Sequence, residues 1–136
     1  MVAYSFKPRF EMPILGLQKT GTIRAQGRRR HARPGETLQL YTGMRTKQCR
    51  LLARAVCCSV GRLRVWFDQP RVIIGELAHE FAVGETNHCY DFDEFARADG
   101  FTGFDDMAAF WWDTHRAREV DDIWVRWSPD SVTPAL

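Results

Sequence analysis

Alternation of apolar and polar residues dominates the first half of the chain. Ala3 to Lys7 places Tyr4 and Phe6 on one face before Pro8 stops it, which predicts a short strand. Phe10 to Gln18 carries Met12, Ile14, Leu15 and Leu17, so a short helix is expected there, with Pro13 in its first turn and an end blurred by Gly16. Thr22 to Ala25 then runs extended, and Gln26 to Gly35 is a polar loop closed by the turn dipeptide Pro34-Gly35. Three longer alternations follow. Leu38, Leu40 and Thr42 interleave with Gln39 and Tyr41. Cys49, Leu51, Ala53, Ala55 and Cys57 interleave with Arg50, Leu52, Arg54 and Val56. Leu63, Val65 and Phe67 interleave with Arg62, Arg64 and Trp66. Period two over such lengths marks half-buried antiparallel strands, here with a basic outer face.

The second half changes period. Asp91 with Glu94 three residues on forms a capping pattern, and Gly100 suits the position just past a helix end. Thr102 with Asp105 repeats the capping pattern. Phe104, Met107, Ala108, Trp111, Trp112 and His115 then recur at helical spacing, an amphipathic stripe that assigns Trp111 and Trp112 to the core together with Trp124. Asp121 to Trp127 returns to period two, with Ile123, Val125 and Trp127 inward, and Ser128 to Pro134 has the composition of a frayed tail, flexible from about residue 129. Strand, helix, several strands, two helices and a strand pack most simply as an α+β domain: a small β-barrel flanked by helices.

Composition sharpens this picture in two ways. The chain has 136 residues, 45% of them hydrophobic, with five Trp and nine Phe, enough for one core but not for two. No apolar run approaches the roughly 18 residues of a membrane span, and the N-terminus lacks a basic segment followed by an apolar one, so a cytoplasmic chain without membrane partners is expected. The charge is unevenly spread. Residues 1–71 hold 15 of the 19 Lys and Arg against Glu11, Glu36 and Asp68, a net +12. Residues 72–136 hold four Arg against 14 acids, a net −10. Either the basic half meets a polyanion or the halves pair with each other. The cysteines, Cys49, Cys57, Cys58 and Cys89, form no C-x-x-C pair, which argues against zinc. Reduced, buried thiols are expected, with Cys49 and Cys57 on the same core-facing parity.

Candidate chemistry concentrates early. From Lys19 to Arg33 stand six cations, Lys19, Arg24, Arg28, Arg29, Arg30 and Arg33, and no acid. Guanidinium groups on a loop suit phosphate binding, and His31 among them is expected to be held neutral by its neighbours. Within Lys19-Thr20-Gly21-Thr22-Ile23-Arg24, a Thr hydroxyl becomes a nucleophile only if a base takes its proton, and a Lys is that base only if its amine is neutral. Lowering a Lys from ~10.4 to neutrality costs on the order of 4 kcal/mol. Taken alone, the segment fits a phosphate-binding turn better than a catalytic one. Asp99 is the third candidate. An acid at a helix C-terminus opposes the dipole by roughly 0.3–1 kcal/mol, although the N-terminus of the next helix would offset this. Tyr41 and Trp66 lie opposite the core parity, placed to stack on a base.

Together these residues resemble a known family. Ile14-Leu15-Gly16-Leu17-Gln18 running into Lys19-Thr20-Gly21-Thr22-Ile23-Arg24 resembles the entry signature of ASCH domains, relatives of the PUA RNA-binding fold. Pro34-Gly35-Glu36-Thr37-Leu38-Gln39-Leu40 resembles that family's turn and barrel strand, and Phe95-Ala96-Arg97-Ala98-Asp99-Gly100-Phe101 its late helix turn. Phe110 and the strand Trp124-Val125-Arg126-Trp127 complete the order, across about residues 3–128. The layout is similar to ASCH-type proteins of phages and prophages, which would put the chain in a host cytoplasm. The resemblance implies a PUA-like barrel with a cleft between barrel and helices. It also implies, as in the smallest bacterial members, an amidohydrolase that removes the acetyl group of N4-acetylcytidine. Its catalytic Lys and Thr match Lys19 and Thr22, and its Glu falls at Asp99, one methylene shorter. Arg24 would bind substrate or stabilise the oxyanion, with Arg28, Arg29, Arg30 and Tyr41 as further substrate-binding residues. No metal or organic cofactor is implied. The expected partners are a modified nucleoside or RNA. The family also contains non-catalytic binders of RNA or single-stranded nucleic acid, and ribonucleases.

Overall fold

A computed structural model describes residues 1–76, 79–82 and 91–135. Among them the order is β1 (Val2–Phe6), α1 (Glu11–Leu15), β2 (Gly21–Arg24), β3 (Thr37–Thr42), β4 (Arg50–Trp66), β5 (Arg71–Glu76), β6 (His79–Ala82), α2 (Phe92–Ala98), α3 (Phe104–His115), β7 (Glu119–Trp127) and β8 (Thr133–Pro134). The expected α+β class holds. The early helix is shorter than its apolar pattern, a 3-10 turn over Pro8–Phe10 running into α1.

The 17-residue β4 is the spine of one branched sheet. Its first half pairs with β3 on one edge and β8 on the other; its second half pairs with β5 and β7. β6 extends β5, β1 joins β3 in parallel, and β2 joins the far edge of β7. No ladder links β1 to β2 among the described residues, so the sheet stays open where a closed barrel was expected. A side chain fills that seam. Arg24 Nη2 donates to Ser5 O at 2.7 Å, and its guanidinium lies over the rings of Tyr4 and Phe6, 5.1 and 4.9 Å from their centroids. The guanidinium thus occupies the space that backbone pairing would need.

Burial follows the alternations, with instructive exceptions. Tyr4, Phe6, Leu38, Leu40 and Thr42 are buried as their parity requires, and Arg50, Arg54 and Arg62 stay outside. The register slips between Leu40 and Tyr41, so Leu52 and Ala53 both enter the core while Leu51 stays half-buried. Cys49 precedes β4 and is exposed, as is Cys58; only Cys57 of the described thiols is buried, and Cys89 lies outside the described residues. Trp124 and Val125 are adjacent yet both buried, because β7 is covered on both faces. Trp124 meets Phe95 of α2 at 5.6 Å between ring centroids, and on the same strand Trp127 meets Phe6 edge-on at 6.1 Å. Trp112, expected in the core, is 39% exposed because α3 packs mainly through Phe104 and Met107.

The helix ends follow the capping chemistry with one correction. Asp91 accepts from Glu94 N at 2.7 Å, a cap worth about 1 kcal/mol. The N-cap of α3 is Gly103 rather than Thr102, and two more distant carboxylates supply the acceptors: Asp93 for Phe104 N at 2.8 Å and Asp106 for Thr102 N at 3.0 Å. The segment read as a frayed tail forms a turn at Pro129–Ser131 and then β8, and Ala135 N donates to Leu52 O at 2.9 Å.

One exposed knot fastens the basic loop. Arg30 grips Glu36 with two hydrogen bonds, of 2.5 and 2.8 Å, and Arg33 N donates to Glu36 Oε1 at 2.8 Å. These bonds hold the Glu36 carboxyl down at about 2. A depressed carboxylate stabilises the fold above its ordinary value and stops doing so as pH falls through the depressed one. Between about pH 4.5 and about pH 2, protection of the amides within residues 30–36, measured against their intrinsic exchange rates, is therefore expected to fall. In Glu36→Gln the loop should be weakly protected at every pH, and a wild-type-like acid transition in that variant would contradict the assignment.

Candidate functional site

Among the described residues, four polar or charged residues are buried: Lys19, Thr22, Thr42 and Asp99, at 2, 4, 6 and 4% exposure. Three of them are the residues the family resemblance marks as catalytic, and the backbone explains how they meet. After α1 the chain turns through Leu17 in the left-handed region (φ 67°), and Lys19 N donates to Pro13 O at 3.0 Å. Thr20 then ties the segment to both sides of the fold, its N–H to Ala98 O (2.8 Å) and its O to Trp127 N (2.9 Å). Asp99 caps the C-terminus of α2, and Gly100 turns the chain away at φ 94°. The unfavourable helix-end position of Asp99 is offset directly by Lys19. Its Nζ donates to Asp99 O at 2.5 Å and to Asp99 Oδ1 at 3.0 Å.

Burial pushes both partners towards neutrality. Desolvation lowers the Lys19 ammonium from its ordinary value; Asp99 opposes that shift, while Arg24 and Arg9 add to it. Desolvation raises the Asp99 carboxyl, against the pull of Lys19 and Arg24. An amine beside a carboxylic acid carries the same protons as an ammonium beside a carboxylate, so the pair can pass a proton without taking one from solvent. The Lys19 amine also lies against Phe10 and Phe6, 4.7 and 5.4 Å from their centroids.

Thr22 sits on β2 beside this pair. Its Oγ1 accepts from Arg24 Nε at 3.0 Å, which leaves the hydroxyl proton available to a base. Lys19 Nζ is hydrogen-bonded to Asp99 rather than to Thr22, so proton transfer from the Thr22 hydroxyl needs the amine to be redirected or relayed. Arg24 is itself desolvated, which lowers its guanidinium, while Tyr4 and Asp99 push it back up.

These groups open on a cleft of about 170 Å³. Its other walls were not read from sequence as site residues: Phe101, Phe110 and Trp111, with the His115 ring tilted against Trp111 at 4.7 Å. The i, i+4 spacing of Trp111 and His115 on α3 was the available signal, and it reads equally as core. A second, larger groove of about 760 Å³ lies along the outer end of β1 and the loop after β2, lined by Tyr4, Arg24, Arg28, Arg29, Arg30 and His31. Arg24 lines both spaces. Tyr41 lines neither; it is half-buried on β3 between Ser5 and Leu51 of the neighbouring strands. Trp66 lies under the Arg71 guanidinium at 5.2 Å, away from the cleft.

In comparisons with models of known families, with curated proteins and with solved structures, nothing matches this chain. What the cleft does must therefore come from its own chemistry. No group of three or more His, Cys, Asp or Glu among the described residues is placed to hold a metal ion. No helix among them is long and apolar enough to cross a membrane. The charge asymmetry resolves in part into pairing between the halves: Lys19 with Asp99, Arg9 with Asp106 at 2.6 Å, and Arg62 with Asp121 at 2.7 Å.

Proposed function

We propose that this chain is an ASCH-type amidohydrolase that removes an acyl group from a modified nucleoside such as N4-acetylcytidine. The observation that carries the reading is the convergence of Lys19, Thr22, Asp99 and Arg24 on one narrow, aromatic-walled cleft. Burying an ammonium and a carboxylate costs several kcal/mol per ion, which an apolar pair would avoid. A use for the proton they share accounts for keeping them.

In the proposed reaction Thr22 Oγ1 attacks the acyl carbonyl while the neutral Lys19 amine takes the hydroxyl proton. Arg24 faces the developing oxyanion. The tetrahedral adduct collapses, the exocyclic nitrogen leaves with a proton returned by Lys19, and the acyl group remains as an ester on Thr22. Water, deprotonated by Lys19, then attacks the ester; the carboxylic acid is released as Lys19 returns the proton to the departing Thr22 Oγ1. Asp99 orients the amine and buffers its proton.

The test is turnover of N4-acetylcytidine, free and within RNA. Wild type should deacetylate it. Thr22→Val, which preserves volume, should fail, and Lys19→Ala should lose on the order of 10²–10⁴-fold. The rate should rise with pH as Lys19 loses its proton. Because the Asp99 carboxylate pushes Lys19 upward, Asp99→Asn should move that rise to lower pH, whatever it does to the maximum rate. No turnover of either form by wild type would sink the assignment. A non-catalytic nucleic-acid-binding module is the alternative, favoured by Arg28 and Arg29 of the larger groove, which make no ion pair among the described residues. It predicts binding of single-stranded nucleic acid by a protein that turns over neither form.

A further inference from the structure

The two spaces that share Arg24 differ in kind. The cleft, at about 170 Å³, is smaller than the ~300–1,000 Å³ usual for a small-molecule site. It admits the reacting end of a ligand but not a whole nucleotide with its sugar and phosphate. The groove, at about 760 Å³, falls inside that range and shares the Arg24 wall with the cleft. One ligand spanning both would pass over the Arg24 guanidinium. Arg24 uses Nε on Thr22 and one Nη2 hydrogen on Ser5 O, leaving three of its five N–H groups for a ligand.

The groove has the chemistry of a single-stranded polyanion site. Arg30 is neutralised by Glu36, but Arg28 and Arg29 make no ion pair or side-chain hydrogen bond among the described residues, and both are exposed. Beside them an aromatic platform is locked in place. Tyr4 and His31 stack at 6.1 Å between centroids with 16° between planes. His31 Nε2 donates to Ala25 O at 2.9 Å, and the Tyr4 hydroxyl, which accepts from Ala32 N, meets His31 Nδ1 at 3.1 Å. Unopposed cations next to a fixed aromatic ring are what single-stranded nucleic acids bind: phosphates on the former, a base on the latter, here the half-exposed His31 backed by buried Tyr4. A duplex does not fit, because the base entering the narrow cleft must leave its stack.

We infer that the groove holds the strand flanking the modified nucleotide, so that the substrate is a single-stranded polynucleotide rather than a free nucleoside. This rests on the amidohydrolase reading for its catalytic half only; the binding half stands without it. Arg28 and Arg29 grip phosphates on one side of the target, Arg24 marks the boundary, and the acylated base enters the cleft.

The experiment has two arms. In the first, anisotropy of a labelled, unmodified single-stranded RNA is followed against salt for wild type and for the Arg28→Ala/Arg29→Ala double variant. Two lost phosphate contacts should reduce the log–log salt slope by about 1.4 and weaken binding about tenfold at physiological salt. In the second, kcat/KM is compared for N4-acetylcytidine, its 5′-monophosphate and a short RNA carrying one such residue. Wild type should prefer the RNA, and the double variant should lower the RNA-to-nucleoside ratio about tenfold. An unchanged salt slope, or a monophosphate as good as the RNA, would overturn the inference. If no acylated substrate is hydrolysed, the amidohydrolase reading fails while the first arm still decides the groove.

Discussion

Lys19→Met is expected to abolish deacylation and to destabilise the fold by about 3–5 kcal/mol, the usual consequence of leaving one member of a buried pair unpartnered. The loss should depend on pH in a definite direction. Lys19 pulls the Asp99 carboxyl down against the upward push of burial, so removing Lys19 raises it further. A carboxyl raised in the folded state favours folding below its unfolded value and withdraws that support as pH rises through the folded one. The deficit measured by urea unfolding should therefore be smaller at about pH 5 than at about pH 8. Adding Asp99→Leu to Lys19→Met should recover most of the stability, because an apolar pair of similar volume avoids both desolvation costs. It should recover none of the activity. Equal stability of the single and double variants at both pH values would show that Lys19 and Asp99 are not energetically coupled.

Gly100→Ala should be nearly as damaging, through space alone. At φ 94° an added Cβ is strained, and it would stand 2.8 Å from both Lys19 Cδ and Phe10 Cδ1. Backbone strain of about 1–3 kcal/mol adds to overpacking of about 1–3 kcal/mol, for a total of roughly 2–6 kcal/mol. Gly35 supplies the control. It has nearly the same angle, φ 92°, but open space around the position of a Cβ, so Gly35→Ala should show the strain without the clash. The difference between the two unfolding free energies isolates the packing around Lys19. Turnover should fall in Gly100→Ala, where the lysine stem is displaced, and hold in Gly35→Ala. If the two variants are equally stable, the Lys19 stem is not tightly held.

How much of this was legible depends on the range of the interaction. The inward faces of β1 and β3 could be read directly, because Tyr4, Phe6, Leu38, Leu40 and Thr42 keep strict parity. The cap at Asp91 and the turn at Gly100 are local and equally plain. The slip between Leu40 and Tyr41 carries no local signal, so Leu52 and Cys49 were assigned to the wrong faces. Trp112 followed the helical stripe but stays 39% exposed, with only the Arg116 and Arg118 guanidinium groups over its ring among the described residues. The closed barrel failed for a related reason: whether two strand edges meet depends on what stands between them, here one arginine. In the site, segment chemistry alone favoured an anion-binding turn. Only the family resemblance linked Lys19, Thr22 and Asp99. Burial of all three was invisible in sequence, since each sits in a polar stretch. Tyr41 shared the parity of an outward stacking residue but lines neither opening.

The pairing of β2 with β7 has a kinetic consequence. Among the described residues, Gly21 to Arg24 have their only strand partners at residues 123–126, and Lys19 meets Asp99 across 80 positions of chain. Neither contact can form early from a local turn. Loops of that length must close before either is rewarded, and sheets built from distant pairings fold in roughly milliseconds to seconds rather than microseconds. Refolding followed at Trp124 and Trp127 should therefore coincide with recovery of the cleft, with no earlier phase in which the cleft exists by itself. A nascent chain in which β7 has not yet emerged has β2 but nothing to hold it, and so carries Lys19 and Thr22 without a site.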